Sequence, residues 1–94
     1  MVAMSVGDLI ELYRPHLLDE TVGVRRSWED MFKYTLKIYP LQTPLEAFDL
    51  DRLTVEMEAS GVNRAFVNGY IERWRRLIAQ AESLMVSREM RRPV

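Results

Sequence analysis

Four arginines and two asparagines fall within the fourteen residues from Asn63 to Arg76. Guanidinium groups pair with phosphate oxygens, and side-chain amides read base edges, so this mixture is the chemistry of a nucleic-acid contact. At 100° per residue, with Asn63 at zero, the apolar residues Phe66, Val67, Tyr70, Ile71, Trp74, Leu77 and Ile78 span an arc from about 300° through 0° to 80°. Arg64, Asn68 and Arg75 flank it at about 100–140°, and Gly69, Arg73 and Arg76 flank it at about 220–280°. A glycine inside a helix costs roughly 1 kcal/mol against alanine, so Gly69 points to a close approach by another helix or a nucleic-acid backbone. Asn63 and Arg64 at a helix start, backed by Asn68, suit phosphate and base-edge contact. The same pattern also reads as a capping Asn63 followed by a solvated face, and the spacing alone leaves both readings open.

Other chemistry finds little support. The glycines stand apart at 7, 23, 61 and 69, so no glycine-rich phosphate cradle exists. The chain has no cysteine, which excludes a disulfide framework and thiolate metal sites. Its single histidine, His16, excludes a multi-histidine zinc site and reads as a surface residue. The acidic pairs Asp19-Glu20, Glu29-Asp30 and Glu56/Glu58 sit at helix ends or on solvated faces, where they complement helix dipoles. Tyr34 and Tyr70 read as core residues rather than nucleophiles. No catalytic residue, metal or small-molecule cofactor is expected.

The 94 residues are 48% hydrophobic and 29% charged, the composition of one small globular domain. No apolar run reaches a membrane span and no signal peptide is visible, so the expectation is a soluble intracellular domain. The net charge of −1 conceals an asymmetry. Residues 1–63 hold six basic and eleven acidic side chains, net −5, whereas residues 64–94 hold seven arginines against three acids, net +4. Basic charge gathered in one third of a chain favours a polyanionic partner.

Four helical stretches carry these residues. Ser5 with Asp8 signals a helix start, and Leu9, Leu12, Tyr13 and Leu17 give an amphipathic helix near 6–19 that Pro15 kinks or caps. Residues 21–26 read as a loop. Ser27 repeats the start signal for a helix over 27–39, with Trp28, Met31, Phe32, Thr35, Leu36 and Tyr39 as its apolar stripe and Pro40 as its stop. Residues 40–49 are a two-proline connector pinned by Leu45 and Phe48. Asp49 caps a short helix over 50–59 with Leu50, Leu53 and Met57 inward, closed by Ser60-Gly61. Asn63 caps the last and longest helix, near 64–85, whose stripe continues to Ala81, Leu84 and Met85. Val86 to Val94 reads as a polar tail or the start of a linker. Trp74, Leu77, Ile71, Phe32 and Leu53 are expected to be buried together.

The run Gly61-Val62-Asn63-Arg64-Ala65-Phe66-Val67-Asn68-Gly69-Tyr70-Ile71-Glu72-Arg73-Trp74-Arg75-Arg76-Leu77-Ile78 resembles the last core helix of the core-binding, SAM-like N-terminal domain of phage integrases, the tyrosine recombinases. The shared features are a small polar turn, an apolar pair followed by asparagine at Phe66-Val67-Asn68, and Trp74-Arg75-Arg76-Leu77 leading to Ala81. Upstream, Thr43-Pro44-Leu45-Glu46-Ala47-Phe48-Asp49-Leu50-Asp51-Arg52-Leu53 is similar to that family's connector. The resemblance covers about residues 5–86 and rests on short motifs.

It implies an all-α fold, a compact four-helix orthogonal bundle spanning residues 1–94, with 86–94 opening a linker to a catalytic domain that would lie downstream. It implies double-stranded DNA as partner, clamped for site-specific recombination or DNA integration in the cytoplasm, with other recombinase protomers on the same DNA. In that family the second and fourth helices face DNA. By position this nominates Lys33, Lys37, Asn63, Arg64, Asn68, Arg75 and Arg76, with Lys33 and Lys37 placed opposite Phe32 and Leu36. The net charge and the acids Glu29 and Asp30 beside the lysines imply weak binding, and Arg14 on the acidic first helix is expected to take no part. The competing reading is a helical protein-interaction or oligomerisation domain, which exposure of Trp28 or Met85-Val86 would favour.

Overall fold

A computed structural model describes residues 4–90, the side chains of residues 82 and 84–90 excepted. The Ser5 hydroxyl accepts from the Asp8 backbone N–H at 3.1 Å, and the Asp8 carboxylate accepts from the Ser5 N–H at 3.0 Å. This reciprocal cap opens α1 (Val6–Tyr13). Pro15 has no N–H to continue the α-helical ladder, so the chain tightens into a 3-10 segment over Arg14–Asp19. The expected 6–19 helix is therefore two pieces.

The second helix begins earlier than its sequence signals. α2 runs Val22–Ile38, so the expected loop at 21–26 is mostly helix. Thr21, not Ser27, is its cap, with its hydroxyl accepting from the Val24 N–H at 3.3 Å. Pro40 follows the end of α2 as expected. The connector then runs beside the start of α1. Val6 N–H donates to the Thr43 carbonyl at 2.8 Å, Gly7 N–H to the Leu41 carbonyl at 2.9 Å, and Leu45 N–H to the Met4 carbonyl at 3.0 Å. Two of these bonds satisfy first-turn amides of α1 that have no partner within the helix. The approach is close enough that a Cβ on Gly7 would lie 3.0 Å from the Leu41 carbonyl oxygen.

Asp49 caps α3 (Leu50–Ala59), its carboxylate accepting from the Asp51 and Arg52 N–H groups at 2.9 and 3.3 Å. Gly61, at φ +87°, makes the turn out of α3. α4 spans Arg64–Met90, longer than the expected 64–85 and about 40 Å from end to end. Among the described residues the elements form a compact, all-helical four-helix bundle without strands.

α4 packs against both α3 and α1, and its Trp74 ring lies in the core between Phe32 and Phe48. Trp74, Phe32, Leu9, Ile10, Leu53, Met57 and Leu77 are fully buried, with Ile71 nearly so. Trp74 Nε1–H donates to Thr35 Oγ1 at 3.0 Å, and that hydroxyl donates to the Met31 carbonyl at 2.8 Å. Phe48 meets the Trp74 ring edge-on at 5.0 Å, which fixes the connector to the core as expected; Leu45 is partly buried against the same cluster. Leu84 and Met85 fall outside the described side chains. No described helix is long and apolar enough to cross a membrane.

Candidate nucleic-acid interface

The seven nominated residues are divided by the fold over separate surfaces. Lys33 and Lys37, one turn apart on α2, line a surface depression of about 370 Å³ together with Arg14, Glu29, Phe32 and Leu36. The lysines thus flank Phe32 and Leu36 instead of lying opposite them. The depression carries three cations against one carboxylate. Glu29 holds Arg14 in a forked pair, with its oxygens 3.0 and 3.1 Å from Nε and Nη2. Among the described residues neither lysine forms an ion pair. Arg14 is therefore a neighbour of the lysines, not the remote residue its place in the first helical stretch implied. No local pattern announces this, because Arg14 and Glu29 stand fifteen residues apart.

Asn68 and Arg75 lie on the other flank of α4, in a groove shared with Asp51, Thr54, Val55, Ile71 and Glu72 of α3 and α4. Two carboxylates against one guanidinium make that groove the poorer host for phosphate. Arg64 is 85% exposed, with Nε 4.0 Å from a Glu58 carboxylate oxygen, a pair too open to hold it firmly. Arg76 is exposed on the outer side of α4. Gly69 has open space where a Cβ would stand, so none of the described residues approaches it closely.

Asn63 sits at a third place, the junction of α2 with the start of α4. Its side-chain oxygen accepts from the Ala65 N–H at 2.9 Å, which commits the carbonyl end of the amide to capping. It shares a depression of about 320 Å³ with Ser27, Asp30, Tyr34, Gly61, Val62, Phe66 and Tyr70. Here the sequence expectation fails for two aromatics. Tyr70 is buried, but Tyr34 is 36% exposed, and Phe66 of the expected apolar stripe is 61% exposed. Tyr34 stands about 200° from Phe32 on the α2 wheel, so its helical phase already places it off the apolar stripe. The three rings form a near-parallel row: Tyr34–Tyr70 at 6.4 Å and 28°, Phe66–Tyr70 at 6.3 Å and 18°. Burial, then the neighbouring Asp30 and Tyr34, raise the Tyr70 phenol above its ordinary value, with Arg73 opposing.

Two contacts weld α2 to α4 behind this row. Arg73 donates from Nη1 to Ser27 Oγ at 2.9 Å and lies 4.7 Å above the Trp28 ring. Ser27, expected as a helix cap, is instead this arginine's acceptor. Trp28 is covered on that side and only partly buried. Lys37 Nζ, 5.4 Å from the Tyr34 ring centroid, links the aromatic row to the basic depression. The contacts Lys37–Tyr34, Tyr34–Tyr70 and Tyr70–Phe66 thus connect the basic depression on α2 to the first turn of α4, beside Asn63. The chain matches no family model, no curated protein and no solved structure.

Proposed function

We propose that this chain is a non-catalytic DNA-binding module of the tyrosine-recombinase type, gripping duplex DNA through the α2–α4 face. The observation that carries the reading is the basic depression of Arg14, Lys33 and Lys37, joined to α4 through the Lys37–Tyr34 and Tyr34–Tyr70 contacts, in a chain whose overall charge is negative. Phosphate oxygens are the natural counterion for two lysines that form no ion pair among the described residues. The sequence resemblance to integrase core-binding domains assigns the same two helices to DNA. In such a protein the module acts in the cytoplasm, on DNA, beside a separate catalytic domain and other protomers during recombination or integration. Lys33 and Lys37 supply the main backbone contacts, with Asn63 and Arg64 at the α4 start. Asn68, Arg75 and Arg76 lie off this face and take a secondary part. A titration of the ¹⁵N-labelled chain with a duplex of about 16 base pairs tests the assignment. Shifts should concentrate on residues 30–37 and 63–67. Shifts confined to Thr54, Asn68 and Arg75, or none at all, would remove the α2–α4 face from consideration.

One observation favours a second reading, a protein-interaction domain. Leu18, Val22, Val55 and Phe66 are each more than half exposed. Self-association in sedimentation equilibrium, abolished by Val55→Asp or Phe66→Asp, would support that reading in place of DNA binding.

A further inference from the structure

A closed duplex, whose bases are stacked on one another and present only their edges, leaves the exposed ring faces of the row beside Lys37 without a base to stack on. We propose that the exposed rings of Tyr34 and Phe66, braced by the buried Tyr70 between them, form a stacking platform for unpaired nucleobases, so that the domain prefers single-stranded or locally opened DNA to closed duplex. This rests on the nucleic-acid reading above and deepens it. Single-strand sites combine a track of positive charge with aromatic faces on which successive bases stack. Both parts are side by side here. Phe66 and Tyr34 offer exposed ring surface on either side of the buried Tyr70, and all three rings lie within 30° of parallel with their neighbour. Lys37 stands over Tyr34 at one end of the row, and Lys33 extends the positive track one turn back along α2.

The polar groups of the same depression add a preference among bases. Asp30 lines it and, among the described residues, forms no ion pair. A carboxylate accepts from an exocyclic amine such as cytosine N4 and repels the O4 oxygen that thymine offers in its place. Asn63 spends its carbonyl on the Ala65 N–H, which leaves its NH2 as a donor for a base carbonyl. An acceptor with a donor beside it matches cytosine. Asp30 also repels phosphate, which puts the strand's backbone on the Lys33–Lys37 side and its bases over the rings.

The test is fluorescence anisotropy with the full 94-residue chain and three labelled probes: oligo-dC, oligo-dT and a hairpin duplex with the same number of phosphates. Oligo-dC should bind at least about tenfold more tightly than the duplex. Phe66→Ala and Phe66→Leu should each weaken oligo-dC binding by about 5- to 150-fold, the range for loss of one stacked base, and change duplex binding less than about twofold. Phe66→Leu keeps apolar bulk without a ring face, so it separates stacking from packing. Asp30→Asn should narrow the gap between oligo-dC and oligo-dT. Duplex binding as tight as oligo-dC, or full oligo-dC affinity in Phe66→Leu, overturns the platform and leaves the duplex reading standing. No binding of any probe overturns both.

Discussion

Thr35→Val isolates a single buried hydrogen bond at the centre of the bundle. The substitution keeps volume and branching and removes one hydroxyl. That hydroxyl is the acceptor for Trp74 Nε1–H at 3.0 Å, and both residues are fully buried. The Met31 carbonyl loses its side-chain donor but keeps its backbone helix bond. The cost is therefore that of a buried indole N–H without a partner, about 1–3 kcal/mol. A domain of this length is stable by roughly 5–14 kcal/mol, so the loss is a substantial fraction. It corresponds to a fall in Tm of about 4–24 °C. Thermal and urea denaturation followed by circular dichroism measures it. The decisive comparison is the same substitution in a Trp74→Phe background, where no indole N–H is left unpaired. There Thr35→Val should cost at least about 1 kcal/mol less than in the natural chain. An equal cost in both backgrounds would refute the assignment of this bond as the stabilising element.

Trp74→Ala should destabilise by about 3–5 kcal/mol in the same assay, because the ring fills the core between Phe32 and Phe48. The two glycines at 7 and 69 should respond oppositely. Gly7→Ala places a methyl group 3.0 Å from the Leu41 carbonyl oxygen and should cost about 1–3 kcal/mol, whereas Gly69→Ala meets open space in a helix and should gain about 0.4–1 kcal/mol. A loss of DNA affinity in the stabilised Gly69→Ala protein would mark that position as a backbone-approach point for the ligand. Tyr70 gives a pH signature. Its folded-state pKa is raised, so its contribution to stability is complete below the ordinary phenol value and declines as pH rises through the folded value. Urea midpoints should therefore fall more steeply above about pH 10 for the natural chain than for Tyr70→Phe; parallel curves would contradict this.

The helical class, the Ser5 and Asp49 caps, the Gly61 turn and the shared burial of Trp74, Leu77, Ile71, Phe32 and Leu53 were legible in the sequence, because each depends on residues within a turn or on a single periodic stripe. The start of α2 was not. Ser27 is by type a better cap than Thr21, and Gly23 argued for a loop, but Ser27 is claimed from 46 residues away by Arg73. The site suffered from the same limit. Helical phase correctly separated Arg64, Asn68 and Arg75 from Arg73 and Arg76, yet could not say which flank of α4 meets α2. Only the packing brings Arg14 to Lys33 and Lys37, and sets Asp51 and Glu72 beside Arg75. The exposed Tyr34 could have been found, since it sits opposite Phe32 on its own helix.

The salt dependence of DNA binding tests the central claim most directly. Affinity for one duplex is measured by anisotropy at 50 and 200 mM salt for the natural chain, Lys33→Ala/Lys37→Ala and Arg75→Ala. Each phosphate contact contributes about 0.9 to the slope of log affinity against log salt. The double lysine variant should lose affinity for every duplex sequence and lower the slope by about two, while Arg75→Ala lowers it by less than about half a unit. An unchanged slope in the lysine variant, with a loss of about one in Arg75→Ala, would place the DNA on the α3–α4 groove and contradict the α2–α4 assignment.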